Sequence, residues 1–161
     1  MRELNSYLND HLAGSVAALE LLGHWVQLYK DNPLGTFFTQ LEAEIQADQD
    51  TLRDLMRILG VEESKVRRVG AWAAEKLGRA RFMVAGDETA GLGLMLALEG
   101  LVMGIAGKKF MWRALAAANL PKVGAFDFTE LERRAEQQLE RTEAERIRAA
   151  RRAFGSTTGL D

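Results

Sequence analysis

The side chains best suited to chemistry in this sequence are carboxylates and its two histidines. Helical bundles that hold two metal ions take one Glu from each of two helices and a Glu-x-x-His from each of the other two. Glu20, His24, Glu44 and Glu99 are the residues that could ligate iron or manganese here. The motif itself fails, because Ala47 stands three residues after Glu44 and Leu139 three after Glu136. His24 follows Glu20 by four, which puts it on the same helix face at a different spacing. Glu20 and Glu44 are expected at one height on a first hairpin. Glu99 is expected closer to Glu143 or Glu145 than to Glu136, which would lie about two turns away at 1.5 Å per residue. The expectation is therefore no metal cofactor, with a di-iron or manganese site as the alternative.

Polar residues on apolar stripes form a second set. Asp48 lies between Ile45 and Leu52, His11 beside Leu12, and Glu99 inside a run from Thr89 to Gly107 that has no other charge. A carboxylate in an apolar interior has to be paired, protonated or bound to metal. Lys108, Lys76, Arg79 and the histidines are the available partners. The expectation is a structural role for His11, Asp48, Glu99 and Lys108, with Glu99 fixing how the innermost helix docks. Ser15 shares a face with His11, but no third group completes a nucleophile–base arrangement. No glycine-rich loop follows a strand pattern, so a phosphate cradle is not expected. Ordinary capping accounts for "AGDETAGLG".

These side chains need helices to position them. Apolar residues recur at helical spacing almost throughout, and the two prolines, Pro33 and Pro121, fall where that period breaks. The first helix is expected from Arg2 to Tyr29. The second starts at "DNPLG", with Asn32 as N-cap and Pro33 as first residue, and stops at Gly60. A third, charged helix is expected over about 62–83. The fourth runs from near Asp87 to about Ala118, apolar on every side and so the most buried, with Gly100 and Gly104 admitting a close neighbour. The fifth opens at the Asp127–Glu130 box, flanked by Phe126 and Leu131, and runs to Phe154. Glu130–Arg134 and Glu143–Arg146 have ion-pair spacing. Trp25, Tyr29, Phe37, Phe38, Phe110 and Trp112 are expected in the core.

Composition sets the outer limits. The formal net charge is −2, which argues against nucleic acid as a partner. With no cysteine, disulfides and thiolate chemistry are excluded. The polar N-terminus is unlike a secretory leader, and a cytoplasmic location is expected. The Thr89–Gly107 run is close to the roughly 20 residues that cross a bilayer. Its central Glu and five glycines argue against a membrane role.

The helix order, with a long connection before the fourth helix, resembles the ferritin-like superfamily from about Leu4 to Phe154. The phrases "YLNDHLAGSVAALELL", "AWAAEKLGRARF" and "LEGLVMGIAGKKFMWRAL" are similar to uncharacterised bacterial proteins of that superfamily. The resemblance implies an all-α, ferritin-like four-helix bundle with an additional crossover helix, and supplies no activity. A single bundle domain over 1–154 and a loose tail over 155–161 are expected. The expected function is non-enzymatic, acting through protein–protein contacts, with a homo-oligomer, a dimer first, as partner state. Metal binding is one alternative, and an apolar-ligand or membrane-surface role the other.

Overall fold

The computed structural model describes residues 2–64 and 90–155, which form four helices. These are α1 (Arg2–Leu28), α2 (Pro33–Leu59), α3 (Ala90–Ala118) and α4 (Phe128–Gly155). The body of the expected third helix, with Lys76, Arg79 and the cap Asp87, lies outside the described residues, as do residues 156–161. Gly155, assigned to the tail from sequence, closes α4.

Local chemistry sets each boundary. The Asn32 side chain accepts the Leu34 N–H at 3.0 Å, Pro33 stands at the first helical position, and α2 follows. Gly60 ends α2 in the left-handed region at φ 68°, where a β-carbon would be strained. The Val61 N–H then closes onto Met56 O at 2.9 Å. Asn119 (φ 45°) ends α3 in the same way. At α4 the Asp127 carboxylate accepts the Glu130 N–H at 3.0 Å. The Glu130 side chain turns to Arg133 rather than back to the cap, and Arg134 turns inward, so the expected Glu130–Arg134 pair is replaced. Glu143–Arg146 forms as expected, at 2.6 Å.

Two apolar clusters sit at opposite ends of the bundle. One joins Leu21, Leu22 and Trp25 of α1 with Phe38, Leu41 and Ile45 of α2, Leu94, Leu98 and Ile105 of α3, and Ala149 of α4. The other joins Leu8 and Leu12 with Leu52, Leu55 and Met56, Met111, Trp112 and Leu115, and Leu131 and Ala135. Each leucine so buried contributes about 1.5–3 kcal/mol relative to exposure. The order of residues along both clusters fixes direction: α1 and α4 run one way, α2 and α3 the other. The chain thus leaves α2 at one end and re-enters as α3 at the opposite end.

α3 is less buried than its composition suggests. It packs closely along α4 and only lightly against α1, and it exposes Leu96, Met103 and Phe110, the last at 58%. Phe110 is therefore not in the core. A β-carbon added at Gly100 or Gly104 would meet no atom within 4 Å, so neither marks a tight crossing among the described residues. The close approach falls instead at Gly91, where a β-carbon would stand 3.2 Å from the Ala153 backbone. A helix apolar on all sides carries no period to say which side faces inward, and so its orientation was hidden.

Candidate functional site

A polar layer separates the two apolar clusters. Asp48, brought in from α2 by its place between Ile45 and Leu52, is 2% exposed. Its Oδ2 accepts from Lys108 Nζ of α3 at 2.6 Å and from Gln138 Nε2 of α4 at 3.0 Å. Arg134 of α4 pairs with Oδ1 at 2.8 Å, yet its N–H is not aligned with the oxygen, which accepts no hydrogen bond among the described residues. Lys108 Nζ also donates to Gln138 Oε1, and the Thr142 hydroxyl donates to Gln138 O at 2.7 Å. Burial pushes the Lys108 ammonium below the ordinary lysine range, and the Asp48 carboxylate opposes that shift. A lysine tied to two acceptors holds helices together and does not present a free amine.

Beside this layer, Gln49 Nε2 donates to Ser15 Oγ at 2.9 Å, and the Ser15 hydroxyl donates to Leu12 O at 2.7 Å. Among the described residues Ser15 thus meets no base, and its hydroxyl does not pair with His11. The His11 ring meets Tyr7 edge-on at 4.7 Å and lies against Gly107. Burial lowers its pKa from the ordinary imidazole value, with Asp10 opposing.

Between α1 and α3 the layer opens into a cleft of about 380 Å³. Glycines 14, 100, 104 and 107 line it without side chains to fill it. Its walls include Leu21, Ile45, Leu101, Ile105 and Met111, with Asp48, Lys108, Ser15, Gln49 and His11 as polar groups. Trp112 also lines it, is 0% exposed, and has an indole N–H with no acceptor among the described residues.

The sequence candidates separate cleanly. Asp48 meets Lys108, one of the several partners that the stripe argument left open. Glu99 departs from expectation: its side chain is 45% exposed on the flank of α3, 3.7 Å from Arg146, which also binds Glu143. Its link to the docking of α3 on α4 is present, but at the surface. Glu20 and His24 are exposed, and Glu44 pairs with Arg141. Among the described residues no three histidine, aspartate or glutamate side chains gather as a metal would require. Sequence reasoning missed Gln138, Arg134, Gln49 and Asn9. Asn9 is buried and binds the 62–64 segment through Glu62 O at 3.1 Å and Ser64 N at 2.7 Å. Gln138, Gln49 and Asn9 are uncharged amides that carry no pattern to mark them, and Arg134 is one of many arginines on a charged helix. The aromatics Trp25, Tyr29, Phe37 and Phe38 cluster at the α1–α2 turn, away from the cleft, with Trp25 stacked on Tyr29 and Phe37 edge-on to Phe38.

Comparison with known protein families, characterised proteins and solved structures gives no match.

Proposed function

We propose that this chain is a metal-free bundle of ferritin-like topology that binds a small apolar molecule in the α1–α3 cleft. The topology is favoured by the parallel course of α2 and α3, which leaves a long connection between them, as in that superfamily. The observation that carries the binding reading is the cleft itself: mostly apolar walls with a few convergent polar groups, the usual make-up of a ligand site. Where a carboxylate bundle keeps metal-binding glutamates, this one has a lysine, an arginine and a glutamine around a single aspartate. Titration with N-phenyl-1-naphthylamine tests the reading. Saturable fluorescence enhancement is expected, and its loss in Gly104→Leu, which fills the cleft where a β-carbon has open space. Enhancement that is absent, or unchanged in the filled variant, rejects it.

A second reading rests on α3. Leu96, Gly100, Met103, Gly107, Phe110 and Ala114 recur at alternating steps of four and three along one side of the helix, the spacing of a helix–helix seam. The three large members are exposed. The helix is also long and apolar enough to cross a bilayer by length and composition. The reading we draw is self-association as a dimer through this seam. Light scattering at tens of micromolar tests it: a dimer is expected, reduced to monomer by Met103→Glu with Phe110→Glu. A monomeric parent protein refutes it.

A further inference from the structure

We propose that the α3 seam pairs antiparallel with a second copy of itself, so that each large apolar side chain of one subunit seats on a small residue of the other. The inference rests on the self-association reading and specifies its geometry.

Side-chain size along the seam sets the direction. Leu96, Met103 and Phe110 alternate with Gly100, Gly107 and Ala114. The three large members are exposed, and a contiguous row of that kind marks an interaction surface. A parallel pair in register would set each large residue against its own copy and each glycine against a glycine. The wide layers would then hold the narrow ones apart and leave voids between them. Reversing the partner about a two-fold axis level with Ile105 removes the conflict. Leu96 then meets the partner's Ala114, Gly100 the partner's Phe110, and Met103 the partner's Gly107. The symmetry makes each contact twice, and large against small is how close-packed layers interdigitate.

Charge gives an independent argument for the same axis. Glu99 stands just before Gly100 and Arg113 three residues after Phe110, so both flank the seam on one side. The axis that brings Gly100 to the partner's Phe110 brings Glu99 to the partner's Arg113, and Arg113 to the partner's Glu99. Ala106, the flanking residue between them, faces its own copy and adds no bulk to hold the helices apart. Within the chain, Glu99 lies 3.7 Å from Arg146 and Arg113 donates to Glu132. Arg113 is 60% exposed, and its five N–H groups suffice for a second carboxylate. In a parallel pair Glu99 would instead face the partner's Gly104, and Arg113 the partner's Ala118, with no ion pair gained.

Two measurements on the full chain test the orientation, with light scattering reporting the dimer itself. The sequence has no cysteine, so Ala116→Cys, exposed and off the seam, takes one nitroxide label per subunit. Double electron–electron resonance should place the two labels about 33 Å apart or more, from about 22 residues of helical rise. A parallel pair would hold them within about 25 Å, two helix widths. Glu99→Arg and Arg113→Glu supply the second measurement. Each variant alone would oppose like charges at both flanking contacts, and its dimer should dissociate about tenfold more readily than the parent's. Mixed in equal amounts, the two should form heterodimers about as tight as the parent, because one subunit then carries two cations at these positions and the other two anions. The intrachain pairs with Arg146 and Glu132 are disturbed alike in the separate and mixed samples, so the gain on mixing reads the subunit contact alone. A short label distance, or mixing without gain, overturns the antiparallel pairing while self-association stands. A monomeric parent overturns both, and flotation of that monomer with phosphatidylcholine vesicles would give the face to a bilayer instead.

Discussion

Replacing Asp48 with leucine should be among the most damaging single changes in the described core, and a second change should partly cure it. Asp48 and Lys108 meet at 2.6 Å with Asp48 almost wholly buried. At an effective dielectric constant of about 20, that contact corresponds to roughly 6 kcal/mol of attraction before the opposing cost of drying both groups. Removing one partner of a buried pair costs about 3–5 kcal/mol, because the survivor stays buried without compensation. In Asp48→Leu the survivor is Lys108, with Arg134 now a nearby like charge. The loss should lie near the top of that range. Adding Lys108→Met takes away the stranded cation. What then remains is Gln138, buried at 1% and missing partners for both ends of its amide, a deficit of about 1–3 kcal/mol. The double variant should therefore be more stable than Asp48→Leu alone, by about 2 kcal/mol within these ranges. Urea unfolding followed by circular dichroism gives the numbers, provided the slopes agree among variants. A double variant as unstable as the sum of its singles would refute the claim that these charges exist for one another.

Three further outcomes are expected. Gly35→Ala should destabilise by about 1–3 kcal/mol, the usual cost of overpacking, since its β-carbon would fall 2.2 Å from the Tyr29 carbonyl oxygen; thermal unfolding checks this. Gly104→Ala should instead raise the unfolding temperature, because the added methyl meets no atom and alanine exceeds glycine by about 1 kcal/mol inside a helix. His11 carries a lowered pKa from burial, so the unfolded chain takes its proton first as pH falls. Stability should therefore drop from the ordinary imidazole value down to the folded one, and His11→Gln should flatten that part of the pH profile; an unaltered profile would show that other groups govern it.

Much of the fold could be read from sequence because its signals are local. Asn32–Pro33, Gly60 and Asp127 are short-range devices, and each acts where its chemistry says it should. That Asp48 needs a partner was also legible, since an acid on a leucine stripe has to be paired, but the choice of Lys108 among several cations was not. Which face of α3 turns inward was not legible either. Its run from Gly91 to Gly107 is apolar all round, and only the three-dimensional packing shows Leu96, Met103 and Phe110 outside and Glu99 on the flank. The cleft was invisible for a related reason. Gly14 and Gly104 belong to helices distant in the chain, and glycines open a space only when the opposite wall is also bare.

The polar layer has a consequence for what this chain avoids. Either end of the bundle taken alone is a bed of leucines, methionines and aromatics, on which a helix could slide by one turn, about 5.4 Å, and still find grease. With the layer present, such a slip would drag Lys108 away from Asp48 and Gln138 and seat an ammonium among hydrocarbon. The mismatched arrangements are thereby penalised more heavily than the correct one is rewarded, so the central charges act chiefly by making the wrong alignments untenable.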